Sequence, residues 1–122
     1  MVKKDNPILD KSIQFALQII EIYKYLVNDK KEYVLSKQLL RSGTSIGANL
    51  KEADLAISKK EFIAKAQISL KEAAETEYWL ELLLRSEYLD EKDCPLSEVQ
   101  SIIRILTSII KKTKESLNEK QY

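Results

Sequence analysis

Few side chains in this sequence have the chemistry to catalyse a reaction or to hold a ligand. There is no histidine. That removes Ser-His and Cys-His nucleophile pairs, most catalytic zinc sites, and the Glu-x-x-His pairs that hold di-iron centres in helical bundles. Glu72, Glu75 and Glu77 stand close enough along the chain to offer oxygens to a hard cation. A carboxylate cluster on one helix reads more simply as a solvated acidic face. Glu77 falls near the apolar stripe of that helix, and a buried carboxylate needs a partner, so pairing with a Lys, Arg or Tyr is expected. Gly43-Thr44-Ser45-Ile46-Gly47 has the outline of a phosphate-binding loop. It lacks the Gly-Lys-Ser/Thr ending, and no strand precedes it. Cys94 is the single cysteine, stands before Pro95 and reads as an incidental thiol. Lys37, Arg41 and Lys51 could touch phosphates, but no aromatic residues interleave with them to stack on bases. The residues alone therefore give no catalytic, metal or cofactor site.

Composition bounds the rest. Hydrophobic residues make up 44% and charged residues 32% of the chain, a globular balance rather than a disordered one. Its 122 residues fit one domain. Only two Gly and two Pro occur, which favours long helices over a sheet with its many turns. No run of about 18 apolar residues exists, so no membrane span is expected. The polar start, Met1 to Pro7, is too short for a secretory signal, and a lone cysteine cannot form an internal disulfide. These features read as cytoplasmic.

Net charge is +1, which gives no global pull toward nucleic acid. Its distribution is uneven. Residues 1–65 carry 12 basic and 8 acidic groups, residues 66–98 carry 3 and 9, and residues 99–122 carry 5 and 2. Such polarity suits head-to-tail assembly or one basic face; the plainer reading is ordinary solvated surface.

Four helices are predicted, at about 7–28, 35–57, 59–89 and 96–117. Asn6-Pro7 opens the first, Asn as N-cap and Pro where its missing N–H costs nothing. Asp29 to Tyr33 reads as a charged loop. In the second helix Leu39, Gly43, Ile46, Leu50, Ala53 and Ile57 form a narrow seam. Gly43 and Gly47 each cost about 1 kcal/mol relative to Ala in a helix. Close approach of a neighbouring helix would account for them; a break between two short helices is the alternative. Ser58-x-x-Glu61 and Ser97-x-x-Gln100 match capping boxes. Phe62, Ala66, Leu70, Ala73, Leu80 and Leu84 form the expected core stripe of the third helix, with Ile68, Trp79, Leu82 and Leu83 on its other side. Val99, Ile102, Ile103, Leu106, Ile109 and Ile110 form the stripe of the fourth. A frayed tail is expected from Asn118 to Tyr122. Short connections make neighbours antiparallel, giving an all-α, up-down-up-down four-helix bundle.

The first helix is apolar over roughly 220° of its circumference, where one core contact needs about 100°. With Ile68, Trp79 and Leu82 on the third helix, that surplus predicts a homo-oligomer. Two different surplus patches suit a cyclic, head-to-tail arrangement better than a self-complementary pair.

Two runs carry a family resemblance: QLLRSGTSIGANLKEA from Gln38 to Ala53, and LKEAAETEYWLELLL from Leu70 to Leu84. Together they resemble the bacterial four-helix bundle family first described as proteins encoded in intervening sequences of large-subunit ribosomal RNA genes. The accessory variability determinant of diversity-generating retroelements is a distant relative. The resemblance covers about Ile8 to Leu117. It implies a homopentamer without enzymatic activity, and in the retroelement relative a basic surface that binds nucleic acid and a reverse transcriptase. It marks Arg41 and Asn49 as candidate polar contacts and Trp79 as a candidate interface anchor. Two expectations stand side by side: a nucleic-acid-associated ring, or a purely protein-binding or structural oligomer whose protein partner is unknown.

Overall fold

The computed structural model describes residues 5–119 of the chain. It contains four long helices: α1 (Pro7–Asn28), α2 (Leu35–Asp54), α3 (Lys59–Arg85) and α4 (Leu96–Glu119). A short 3-10 turn, Glu91–Asp93, sits in the last connection. Among the described residues there is no strand.

Each helix start has a visible cause. The Asn6 side chain accepts from the Leu9 amide at 3.2 Å, and Pro7 opens α1. Ser58 Oγ accepts from the Glu61 amide at 3.1 Å and caps α3. The return half of that capping box lands one residue early, because Glu61 Oε2 accepts from the Ile57 amide at 3.0 Å. The expected box at Ser97 does not form. Helix α4 already starts at Leu96, the Val99 amide bonds the Pro95 carbonyl, and Ser97 Oγ donates to the Glu98 carboxylate beside it.

Two helix ends fall short of expectation. Helix α2 stops at Asp54, where the Leu55 and Ala56 amides close tight bonds on the Glu52 and Ala53 carbonyls. The chain then turns to present Ser58 in an extended conformation as a cap, which leaves Ile57 95% exposed rather than on the seam. Helix α3 stops at Arg85, not near Leu89. Glu87 adopts a left-handed φ of 67°, its amide bonds the Leu84 carbonyl, and the Tyr88 amide bonds the Leu83 carbonyl. That pair of bonds is the Schellman motif, formed here without glycine. At the far end α4 continues through Asn118 and Glu119; positions 120–122 of the expected frayed tail lie outside the described residues.

Contacts between helices fix the topology. Ser12 and Ile19 of α1 lie against Gly47 and Gly43 of α2. Ser42 and Ile46 of α2 bond Thr76 and Ser69 of α3. Lys59 bonds Ser116, and Cys94 Sγ approaches the Leu80 carbonyl. Numbering rises in one helix as it falls in the next, so the arrangement is antiparallel throughout. One core runs through Phe15, Ile19, Leu26, Leu39, Ile46, Leu80, Leu83, Ile102 and Leu106.

The core face of α3 differs from the apolar stripe. Ile63, Ala66, Ser69, Ala73, Thr76, Leu80 and Leu83 are buried, while Phe62, Leu70 and Leu84 are only half-buried. The apolar stripe points toward α4; the side toward α2 is built from Ser, Ala and Thr. Leu83, expected on the outer side, is fully buried. Gly43 is where α1 comes closest: a Cβ there would stand 2.9 Å from both Ile19 γ-carbons. At Gly47 a Cβ would meet only Ser12 Cβ at 3.8 Å, an ordinary contact. Helix α2 is unbroken through both glycines.

Candidate functional site

The chemistry-bearing residues separate into two surfaces. The first lies along α2 and α3. Arg41, whose side chain is 54% exposed, reaches across to two carboxylates. Its Nη2 donates to Glu75 Oε2, and its Nη1 stands 3.6 Å from Glu72 Oε1. The Trp79 indole N–H donates to the same Glu75 oxygen at 3.0 Å. That indole bond, with the Arg41 guanidinium beside it, holds the Glu75 carboxyl below its ordinary range against the opposing effect of desolvation. Glu72 and Glu75 are therefore not a merely solvated acidic face. The Glu72 side chain is 18% exposed, and its Oε1, buried without a hydrogen bond, faces Arg41 alone. About two to three turns further along the same pair of helices, Lys65 and Glu52 pair at 2.8 Å, and the Glu52 carboxylate pushes the Lys65 pKa up.

Helix periodicity sets this geometry. Glu72, Glu75 and Trp79 step by three and four, so all three lie along one line of α3, and Glu72 and Glu75 meet Arg41 of α2 there. Glu77 falls on the α4 side instead and is half-buried, with oxygens that are not sealed from solvent; the expected Lys, Arg or Tyr partner is absent among the described residues.

The candidate polar contacts are not equivalent. Arg41 is engaged by carboxylates. Asn49 is half-buried and donates to the Ser45 carbonyl of its own helix at 2.8 Å. Lys37 and Lys51 are exposed on the outer side of α2. The candidate interface residues lie on the outer strip of α3: Ile68 is 42% exposed, while Trp79 and Leu82 are half-buried. Trp79 packs against the core and meets Tyr78 edge-on at 5.1 Å. Tyr78 itself is 56% exposed.

The second surface is the opposite side of the bundle, where α1 and α4 meet. They are the most loosely joined pair of neighbouring helices. A groove of about 650 Å³ runs between them, lined by Leu17, Ile22, Tyr25, Leu89, Cys94 and Pro95, with Glu21, Asp93 and Glu98 also in its walls. Burial pushes the Cys94 thiol up from its ordinary value, the opposite of an activated nucleophile. Ile13, Leu17 and Tyr25 leave α1 with an exposed apolar face. A smaller hollow of about 420 Å³ between α3 and α4 includes Gln67, Leu70, Lys111 and Lys114.

Glu32, in the segment expected as a charged loop, has a role that its position in the sequence did not announce. Its carboxylate is buried and accepts from the Val34, Leu35 and Ser36 amides, the last at 2.7 Å, so it caps α2. A Glu just ahead of a helix start was the available signal. Among the described residues no three His, Cys, Asp or Glu side chains gather where a metal ion could sit. No described helix is long and apolar enough to cross a membrane.

Residues 4–115 match the family described as 23S rRNA-intervening sequence protein. A crystal structure of a protein with unknown function from the S23 ribosomal protein family of Bacteroides thetaiotaomicron is also similar. It shares 54% identity, covers 85% of this chain and 98% of that chain, and superposes with a TM-score of 0.83. A search of curated proteins finds no match.

Proposed function

Since the chain belongs to the 23S rRNA-intervening sequence protein family, we propose that this four-helix bundle is a non-enzymatic, cytoplasmic scaffold that works as a homo-oligomeric ring, a pentamer by its family resemblance. The observation that carries this is apolar surface left on two opposite sides of one small bundle. Ile13, Leu17 and Tyr25 are 41%, 51% and 41% exposed on α1; Ile68 and Tyr78 are 42% and 56% exposed on α3. Burying such surface is worth about 25 cal/mol per Å² before association costs. Two unlike patches favour a cyclic, heterologous contact over a two-fold one.

Light scattering after size-exclusion chromatography at micromolar concentration tests this reading. The expected mass is a multiple of the 14.1 kDa chain. A species of single-chain mass refutes it.

A nucleic-acid role is the second reading, favoured by one arrangement. Lys59 and Lys60 open α3, and Lys111, Lys112 and Lys114 lie near the end of α4. The Lys59–Ser116 hydrogen bond places both groups at one end of the bundle. A ring would repeat that basic end around its axis. Binding to RNA or DNA that weakens steeply with salt supports it, since phosphate contacts release counterions. Salt-insensitive capture of a protein partner favours a purely structural role.

A further inference from the structure

The four helices are not held equally. Across the α2–α3 joint, Ser69 Oγ donates to the Ile46 carbonyl at 2.8 Å and Thr76 Oγ1 donates to Ser42 Oγ at 2.9 Å. Arg41 and Lys65 reach the carboxylates of Glu75 and Glu52 across the same joint. Lys59 bonds Ser116 and ties α3 to α4. Among the described residues α1 has a single polar tie, at its N-cap, where Asn6 Nδ2 donates to Asp54 Oδ1 at 3.3 Å. No hydrogen bond or ion pair joins α1 to α4 among those residues, and the groove of about 650 Å³ runs between them.

The middle of the α1–α2 contact is also weaker than its burial suggests. Ser12 is fully buried against Gly47, and its hydroxyl has no hydrogen-bond partner among the described residues. A hydroxyl in that position has given up water and gained nothing in return. Gly43 seats Ile19 closely but adds no directional bond. What holds α1 is the burial of Phe15, Ile19 and Leu26, a non-directional attraction. The start of α2, by contrast, does not depend on α1. After the left-handed Lys31, with a φ of 56°, the Glu32 carboxylate accepts from the Val34, Leu35 and Ser36 amides.

We infer that α1 is a detachable helix, which leaves the α2–α3–α4 unit before that unit comes apart. Openings of part of a fold at less than the full cost of unfolding follow such differences in how elements are joined. Closed, the chain shows only the narrow groove; open, it offers an apolar cleft where α1 had been. The inference goes beyond the assembly proposed above, because the surface that lets go is the inward face of α1 and not its outer one.

Hydrogen–deuterium exchange of the whole chain, read by mass spectrometry on peptides from each helix, tests it. After correction for intrinsic rates, the stretch of α1 from Phe15 to Leu26 should exchange about ten-fold faster than α2 around Ile46 and α3 around Ala73. Ser69→Ala removes a bond that the closed and the α1-open forms both keep. It should speed α2 and α3 by about five-fold, the worth of one hydrogen bond, and leave α1 unchanged. Asn6→Ala removes the cap and the tie of α1 itself and should speed α1 by a similar factor. Should Ser69→Ala fail to fold, Thr76→Val removes the neighbouring bond and carries the same test. Equal exchange in α1 and α3 of the native chain, or a seam variant whose effect reaches α1 in full, means that all four helices open as one unit and overturns the inference.

Discussion

The α2–α3 seam and the α1–α4 flank both join antiparallel neighbours, yet they are built from different chemistry. The seam is narrow and finished. Ser42, Ser69, Ala73 and Thr76 let the helices approach, and the hydroxyls of Ser69 and Thr76 bond across at 2.8 and 2.9 Å. Its solvent edge is clasped by Arg41 with Glu72 and Glu75, and by Lys65 with Glu52. On the flank, no hydrogen bond or ion pair joins α1 to α4 among the described residues, and a groove of about 650 Å³ stays open. The sealed side spends its polar groups on itself, so Arg41 has little left to offer a phosphate. The open side keeps the apolar surface of Ile13, Leu17 and Tyr25 exposed.

Breaking the tight packing should give the largest effect. Gly43→Leu has no room against Ile19 and should lower unfolding stability by about 1–3 kcal/mol, read by denaturant titration. A loss no greater than that of the exposed control Ala48→Leu on the same helix would show that α1 can move aside. The companion glycine sharpens the point with the opposite sign. Gly47→Ala meets only ordinary contact at Ser12, so helix propensity should win and raise stability by up to about 1 kcal/mol. Destabilisation there would mean that α1 and α2 sit closer at Gly47 than described.

On the open flank, Leu17→Glu should change the folding stability of a single chain by less than about 0.5 kcal/mol, since Leu17 is half-exposed. The same substitution should split the assembly. Unchanged mass on light scattering would remove the α1 face from the interface.

The smallest effect belongs to the clasp. Glu75 has a carboxyl held below its ordinary value of 4.5, first by the Trp79 indole and then by Arg41. Its contribution is complete above that ordinary value and is lost as pH falls through the lowered folded value. The side chain is 34% exposed, so solvent screens the interaction and the change should be modest. Thermal unfolding of the native chain and Glu75→Gln should converge as pH drops from neutral into the acid range. A gap that widens with acidification would reverse the assignment.

Much of the fold was legible because it depends on local rules. Asn6-Pro7 and Ser58-x-x-Glu61 marked helix starts through backbone amides that need partners, and Gly43 announced a close approach. The two motif runs identified the family. The core face of α3 was not legible from apolar periodicity, because Ser69 and Thr76 are buried by virtue of their hydrogen bonds. Leu83 was misplaced for the same reason: the stripe was centred on α4, while small polar residues made the contact with α2. The end of α3 escaped notice because Leu84 and Leu89 continue an apolar pattern across a left-handed Glu87, with no glycine to mark the stop. At the candidate site, Arg41 was legible as a polar landmark but not its engagement by Glu72 and Glu75, which depends on the register of two helices. The groove was invisible in the sequence, since it arises from how far α1 and α4 stand apart.

The central claim is that the open flank is completed by another copy of the chain. Thermal unfolding followed over a wide range of protein concentrations tests it most directly. Association stabilises the folded state by mass action, so Tm is expected to climb as concentration rises and to fall on dilution. A Tm that is the same at every concentration, with one chain mass throughout, would contradict it.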